Sequence, residues 1–334
     1  MNELDIVMPA HQVHEYLNQS IESILNQSFG DFRLIVIDDS IDGSVSTHVK
    51  NGFQDKRVQV VRSNEHSVEG ALNVGLSYCE AKYVARMDSD DIAFTNRFER
   101  QIDYLKRNPQ IGILGAWATL VDSNSKIIGK AKPPETPEQI IENLCHLVNP
   151  IIHPLVVFNI NQCGRLRYPT NNKFMEDLGL WISKIDRVIF YNMPETLLYY
   201  RVHNLQTSRN SYAIEELVLL ADRVKKSETY RNLDYKKQKS IALYLENLIV
   251  FRTSKLIGIR FRSAIRAYEH NKYFGITLIQ ELFGTVGVKA SLELVFFEAV
   301  KSIVKFKLFV ILVRKFAKAR LKRLKLFLEG EKKF

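Results

Sequence analysis

Cysteine is scarce in this 334-residue sequence, which contains only Cys79, Cys145 and Cys163. These three residues show none of the spacings by which cysteines share a metal ion. An odd and sparse set also excludes a disulfide framework and is typical of a protein from a reducing compartment. The sequence therefore predicts a cytoplasmic protein that depends on a hydrophobic core.

Long apolar runs are also missing. No stretch approaches the roughly 18 apolar residues of a membrane-spanning helix, and the longest late run, Leu308 to Val313, has six residues. The first residues, Met1 to Asp5, lack the basic start and the apolar segment of a signal peptide. With 46% hydrophobic and 25% charged residues, the composition is that of a soluble globular protein with one large domain or two smaller ones.

The first 300 residues lack a net charge, because they carry 35 Lys+Arg and 35 Asp+Glu. The whole net charge of +10 lies between Lys301 and Phe334, a segment that contains twelve basic residues and two Glu. Apolar residues recur at helical spacing from Phe296 to Leu312, so we predict a basic amphipathic tail that binds an anionic membrane surface. The alternative is a packed helix with a solvated basic face. A nucleic-acid partner is not expected, since the tail has no Tyr or Trp for base stacking.

Strand and helix patterns alternate through the first 210 residues. This alternation predicts an α/β fold with a Rossmann-like, mostly parallel sheet and helices on both faces. From about Ser211 the pattern is helical, so we expect a first domain at residues 1–210 and a helical C-terminal region at residues 211–334. The predicted elements are strands Leu4–Met8, Arg33–Ile37, Val58–Val61, Tyr83–Met87, Ile111–Val121 and Leu155–Phe158, helices Glu15–Gln27, Ser67–Cys79, Asn96–Asn108 and Asn172–Lys184, a loop at Lys130–Pro137 and a strand pair ending at Arg201.

One short strand runs directly into three carboxylates, in the sequence YVARMDSDD of residues 83–91. Residues two apart in an extended chain point the same way, so Asp88 and Asp90 can face one site. Acids this close repel one another unless a cation lies among them, and Mg²⁺ or Mn²⁺ suits such oxygen ligands. One interpretation is therefore a metal site that holds a phosphorylated ligand. The other is a solvated acidic turn, with Asp90 or Asp91 capping the next helix.

Two other predicted strands also end in a turn-forming or acidic residue. Pro9 ends the first strand, and Asp38 and Asp39 follow the second. Ligands of a parallel α/β sheet bind beyond the carboxyl ends of its strands. Convergence of these residues with the acids of residues 88–91 at one rim favours the ligand-site interpretation.

In chain order, these motifs resemble glycosyltransferase family 2, whose members are inverting nucleotide-sugar enzymes with the A-type fold. The resemblance covers roughly residues 4–205. It rests on Ile6–Pro9, Ser20–Ser28, Asp31–Ser40 and Ala85–Asp91, with further agreement at Asn149–Pro154, Phe174–Asp177 and Tyr200–His203.

The resemblance implies a donor site at the rim. Pro9 and Asp39 correspond to residues that contact uracil, with Asp38 beside them. Asp88 corresponds to the first acid of the Asp-X-Asp motif, near the ribose or the metal. Asp90 corresponds to the ligand that joins Mn²⁺ or Mg²⁺ to the diphosphate.

The remaining implied roles concern catalysis and closure over the donor. Asp177 corresponds to the catalytic base that takes the proton of the acceptor hydroxyl. Arg201 and His203 match a segment that approaches the donor diphosphate or closes over it, and Arg86 is a further donor contact. At the base pocket the sequence departs from the family pattern, because Ala10, His11 and Gln12 follow Pro9 and the loop after Asp39 is short.

The resulting expectation is an inverting transferase that moves a hexose or N-acetylhexosamine from a UDP-sugar to a saccharide carried on a polyprenyl diphosphate. It would act in surface polysaccharide synthesis (O-antigen, capsule or lipopolysaccharide), peripherally on the inner face of the cell membrane. A sugar nucleotidyltransferase is an alternative, but it needs a Gly-rich phosphate loop that residues 9–12 do not provide. A non-catalytic, membrane-associated binding protein is disfavoured by the intact Asp88, Asp90 and Asp177.

Overall fold

A computed structural model describes residues 2–170, 175–203, 214–253 and 263 of the chain. The chain divides into two compact units, residues 1–245 and 246–334. The first unit contains strands β1 (Leu4–Ala10), β2 (Phe32–Asp38), β3 (Val58–Arg62), β4 (Tyr83–Arg86), β5 (Ile92–Ala93), β6 (Ile111–Val121), β7 (Ile127–Ala131), β8 (Val157–Asn159) and β9 (Ile189–Arg201).

The helices of the described residues are α1 (Leu17–Leu25), α2 (Ser44–Gly52), α3 (Val68–Ser77), α4 (Arg97–Arg107), α5 (Pro137–Cys145), α6 (Ile160–Cys163), α7 (Glu176–Lys184), α8 (Ile214–Lys226), α9 (Glu228–Arg231) and α10 (Tyr235–Thr253), with a 3-10 turn at His153–Leu155. Helix α8 packs on α5 and α7 within the first unit. Within these described helices, none is long and apolar enough to cross a bilayer.

The nine strands form one sheet in the order β3-β2-β1-β4-β8-β6-β9-β5, with β7 paired to the edge of β6. Strands β3, β2, β1 and β4 run parallel, as do β6 and β9, whereas β8, β5 and β7 are antiparallel to their neighbours. This arrangement confirms the predicted α/β fold with a mostly parallel sheet. The register pairs Val7 of β1 with Arg86 of β4 and Ala10 with Asp38 of β2, so the ends of these strands meet at one rim.

Alternate residues of the strands bury apolar side chains on both faces of the sheet. On one face, Leu4, Ile6 and Met8 of β1 join a core that also takes the apolar sides of α1, α2 and α4. On the other face, α3 lies directly against β1, since a Cβ added to Gly75 would be 2.5 Å from Val7 Cγ1. The predicted covering of both faces by helices is therefore confirmed.

Several elements differ from the sequence-based expectations, among them the following. Helix α2 was not predicted, and β7 occupies the start of the expected loop at residues 130–137. Helix α7 begins at Glu176, not Asn172. The expected strand pair is one strand, β9, which continues through Pro194 by a shift in its register with β6. The basic tail of residues 301–334 lies outside the described residues.

Candidate functional site

A cleft of about 1350 Å³ opens over the carboxyl ends of β1, β2 and β4 in the first unit. Residues at and after these strand ends line the cleft, together with the start of α7. Of the residues predicted for the site, those that line the cleft are Pro9, Asp39, Arg86, Asp88, Asp90, Asp177 and His203. The fold thus brings together, at one site, residues separated by up to 194 positions in the chain.

The acidic segment after β4 is held in place from both sides. The Ser20 hydroxyl donates to the Asp88 carbonyl oxygen at 2.8 Å, and Arg86 forms a two-pronged ion pair with the Asp88 carboxylate. Burial, together with the charge of Asp90, raises the pKa of Asp88 to about 6 against the lowering effect of Arg86. Asp88 therefore lies in a site where added positive charge would favour its ionised form.

Asp90 and Asp91 occupy different environments. The imidazole Nε2 of His203 donates to Asp90 Oδ2 at 2.8 Å, beside the cleft. Asp91 is buried and accepts a hydrogen bond from the backbone N of Arg201 at 2.8 Å, while its Oδ2 has no hydrogen-bond partner. Burial, followed by the charges of Asp88 and Asp90, raises the pKa of Asp91 well above its usual range.

Oxygen atoms of Asp88, Asp90 and Asp91 lie within 4.8 Å of one another, close enough to share one ion. Carboxylate oxygens are the ligands that Mg²⁺ and Mn²⁺ prefer. A divalent cation would also relieve the mutual repulsion that raises the pKa values of Asp88 and Asp91. The residues present therefore fit such a cation.

Asp177 lies in the first turn of α7 and lines the cleft. The backbone N of Leu178 donates to its Oδ1 at 2.6 Å, and the side-chain amide of Asn149 donates to its Oδ2. Burial raises the pKa of Asp177, while these two hydrogen bonds and the charge of Arg86 lower it. An ionised carboxylate that faces an open cleft can accept a proton from a bound hydroxyl group.

The surroundings of the neighbouring Glu176 favour the protonated acid more strongly than those of Asp177 do. Burial, followed by the charge of Asp177, raises the pKa of Glu176 to about 8. Its Oε1 lies 4.0 Å from His153 Nδ1. His153 shares a hydrogen bond of 2.7 Å with the Tyr168 hydroxyl, and burial lowers its pKa well below the usual range, so the ring is neutral.

At the other end of the cleft, Asp39 follows β2 beside Pro9 and Ala10 of β1. The backbone N of Asp39 donates to the Ala10 carbonyl at 2.9 Å, and Asp39 Oδ1 accepts from the backbone N of His66 at 3.1 Å. His11 also lines this end. The second oxygen of Asp39 and the ring of His11 can therefore meet a planar ligand such as a base.

Asp38 was predicted beside the nucleotide, but the structure places its carboxylate behind the cleft wall. It is fully buried, and both its oxygens accept hydrogen bonds, from the backbone and hydroxyl groups of Ser40 and of Ser46. Arg62 Nη1 lies 2.9 Å from Asp38 Oδ1. Burial would raise the pKa of Asp38, yet the hydrogen bonds from Ser40 and Ser46 outweigh it and lower the pKa to about 2. Asp38 therefore supports the loop from within.

Arg201, predicted to approach the diphosphate, is also fully buried and does not line the cleft. Its guanidinium group donates to the Asp90 carbonyl at 2.9 Å and to the Asp122 carbonyl at 3.2 Å, and it lies 4.0 Å from the centre of the Tyr16 ring. Arg201 thus joins the acidic segment to the β6–β7 turn, and it also donates to Ser125 Oγ and to Gln19 Oε1, each at 3.0 Å.

Three residues of this site were not assigned a role from the sequence. Asn149 belongs to a quoted motif, but no local pattern shows that its side chain meets Asp177. Glu176 stood beside the expected base without a role of its own. Arg97 is fully buried under the acidic segment and donates to the Arg86 carbonyl at 2.9 Å; burial lowers its pKa to about 9.

Residues 5–152 match the family model "Glycosyl transferase family 2". An uncharacterized glycosyltransferase of Haemophilus influenzae is 30% identical to this chain, over 61% of the chain and 67% of that relative. The chain belongs to glycosyltransferase family 2. Its relatives in Escherichia coli include the O-antigen biosynthesis glycosyltransferase WbnJ, 27% identical over 75% of this chain and 96% of WbnJ.

A second Escherichia coli relative, UDP-Glc:alpha-D-GlcNAc-diphosphoundecaprenol beta-1,3-glucosyltransferase WfgD, is 29% identical over 63% of this chain and 81% of WfgD. Among solved structures, S. aureus TarS 1-349 in complex with UDP-GlcNAc has a TM-score of 0.58, with 15% identity, over 94% of this chain and 92% of that chain. At this identity the likeness to TarS confirms the fold, and the family confirms that the protein is a glycosyltransferase.

Proposed function

We propose that this glycosyltransferase inverts the configuration of a hexose or N-acetylhexosamine as it transfers the sugar from UDP to a lipid-linked saccharide. The observation that carries this proposal is the shared cleft, which is lined both by the base candidate Asp177 and by Asp88 and Asp90 of the acidic segment. One displacement at the anomeric carbon needs these two functions on opposite sides of the sugar.

The reaction proceeds in a single step in this proposal. Asp177 accepts the proton of the acceptor hydroxyl group, whose oxygen forms a bond to the anomeric carbon. The bond from that carbon to the diphosphate oxygen breaks, and its electron pair leaves with UDP. Asp88 and Asp90 would hold Mn²⁺ or Mg²⁺, which stabilises the negative charge that develops on the diphosphate.

Two relatives support the choice of substrates. TarS was solved with UDP-GlcNAc, and the name of WfgD describes transfer from UDP-Glc to a GlcNAc-diphosphoundecaprenol acceptor. Asp39 and His11, which both line the cleft, offer polar groups that could meet a base. The name of WbnJ, an O-antigen biosynthesis glycosyltransferase, supports surface polysaccharide synthesis as the setting of the reaction.

A lipid-linked acceptor places the enzyme at the inner face of the cell membrane. The basic tail of residues 301–334 carries the positive charge that would bind anionic lipid there. Within the described residues, α10 begins with a further exposed basic group, formed by Lys236, Lys237 and Lys239 beside the exposed Tyr235. Each basic residue near an anionic bilayer contributes about 1 kcal/mol of attraction.

The test is transfer to a synthetic GlcNAc-diphosphoundecaprenol acceptor from a panel of UDP-, GDP- and dTDP-sugars, with Mn²⁺, Mg²⁺ or EDTA. We expect one UDP-sugar to give a product of inverted anomeric configuration, dependent on the metal. A GDP- or dTDP-sugar as the sole donor, or a product of retained configuration, would contradict the proposal. Thermal shift with each UDP-sugar gives an independent ranking of donors, since a bound ligand raises the melting temperature.

A further inference from the structure

The side chain of Asn149 is fixed in orientation next to Asp177. Its Oδ1 accepts hydrogen bonds from two N–H groups, the indole Nε1 of Trp181 at 3.2 Å and the backbone N of Ile151 at 3.2 Å. Neither group can act as an acceptor. The amide of Asn149 therefore cannot flip without losing both bonds, and its Nδ2 must point to Asp177.

Asp177 consequently receives one N–H donor on each carboxylate oxygen, from Asn149 and from the backbone of Leu178. Hydrogen bonds from N–H groups favour the ionised form of a carboxyl group over the acid. Each oxygen keeps a further lone pair that can accept the hydrogen bond of an acceptor hydroxyl group. Asn149 thus influences both the charge and the direction of Asp177.

The charged and titratable groups near Asp177 would not by themselves favour its ionised form or fix its direction. Glu176 is next to it in α7, Asp88 and Tyr168 interact with it electrostatically, and Arg86 supplies the nearby positive charge. Two adjacent carboxyl groups can take different roles when their surroundings favour different protonation states. Only Asp177 of this pair receives the Asn149 amide.

We propose that Asn149 is a positioning residue that keeps Asp177 ionised and directed at the acceptor, with Trp181 holding the Asn149 amide in place. The role in catalysis rests on the proposed transfer reaction. Asn149 is exposed to the cleft rather than packed in the core, so its replacement by Ala removes the hydrogen bonds without opening a core cavity.

The first experiment measures protonation and needs no substrate. Full-length protein labelled at the carboxyl carbons of aspartate is titrated by NMR, and the Asp177 signal is assigned by its loss in Asp177→Asn. We expect Asn149→Ala to raise the Asp177 midpoint by about one pH unit, and the isosteric Asn149→Asp to raise it more, because it adds a negative charge. Asn51→Ala, on the exposed side of α2, is the matched control. An unchanged midpoint in Asn149→Ala would overturn the inference.

The second experiment measures transfer. Asn149→Ala should lower kcat on the order of 10-fold, leave the KM for the donor unchanged and move the acidic limb of the pH profile to higher pH. In an Asp177→Asn background the same substitution should cause no further loss, because Asn149 acts through Asp177. Additive losses would show an independent role and overturn the proposal. If the midpoint shifts but the wild-type protein transfers no sugar, the proposed reaction fails while the positioning of Asp177 stands.

Discussion

Replacement of Asp38 by Asn should destabilise the protein without weakening binding of the sugar donor, although the neighbouring Asp39 faces the cleft. The Asp38 carboxylate is buried, and Ser46, in the first turn of α2, donates to it through its backbone N at 2.9 Å. Asp38 thereby caps α2 from outside the helix, where a negative charge also interacts favourably with the helix N-terminus.

The magnitude follows from the pKa. The pKa of Asp38 falls from 3.8 to about 2, and each unit corresponds to 1.36 kcal/mol, so the ionised carboxylate contributes about 2 kcal/mol to folding. A carboxyl group whose pKa is lower in the folded state than in the unfolded state stabilises the fold at pH values above its unfolded pKa. This contribution is therefore complete above pH 5, and roughly half of it is lost by pH 3, as the pH falls toward the folded value.

The assay is urea unfolding of wild type, Asp38→Asn and the matched variant Asp39→Asn, which changes the same charge one residue away. At pH 7, Asp38→Asn should lower the free energy of unfolding by about 2 kcal/mol. Asp39→Asn should lower it by about 1 kcal/mol or less, because Asp39 accepts one hydrogen bond from the backbone N of His66. The difference in the free energy of unfolding between wild type and Asp38→Asn should become smaller as the pH falls from 5 to 3. UDP affinity should fall only in Asp39→Asn. Reversed effects of the two variants, or equal stability at pH 7, would refute the reasoning.

Three further predictions address the proposed reaction. Asp90→Ala should abolish transfer and make UDP binding insensitive to Mn²⁺, and calorimetry with and without the metal checks this; binding that still responds to Mn²⁺ would disprove the assigned ligand. Asp177→Asn should keep UDP affinity but reduce transfer by at least about 10²-fold, measured at saturating donor, whereas a parallel loss of affinity would indicate a donor-site role. Removal of residues 301–334 should reduce co-sedimentation with anionic vesicles, most clearly at low salt because the Debye length is then long, and equal binding of both forms would contradict a membrane role for the tail.

The acidic rim was predictable because its signals are local. Strand periodicity located the ends of β1, β2 and β4, and the alternation of side chains in an extended segment placed Asp88 and Asp90 together. The rule that ligands lie beyond the carboxyl ends of parallel strands then selected the correct side of the sheet. Pro9, Asp39 and these two acids accordingly line one cleft.

Helix α2 was missed because its stabilising contacts are not local. The sequence SVSTHVKNG of residues 44–52 has few strong helix formers, and the residue before the helix, Gly43, provides no side-chain cap. Asp42 accepts from the backbone N of Ser44, but the buried carboxylate that accepts from Ser46 is Asp38, eight residues before it. A carboxylate at the end of a strand can face a ligand or cap the following helix, and only the path of the loop decides between the two.

Arg201 shows the same limit for a charged residue at the end of a strand. From the sequence, a guanidinium group near an expected diphosphate site is a natural ligand for phosphate. The structure instead directs its donors to carbonyl groups of residues 90, 122 and 123, which are 78 to 111 positions away in the chain. Because carbonyl groups at chain turns need donors as much as a phosphate does, a buried arginine can hold the acidic segment in place without contacting the sugar donor. The distinction depends on burial, and burial at β9 is decided by its pairing with β6.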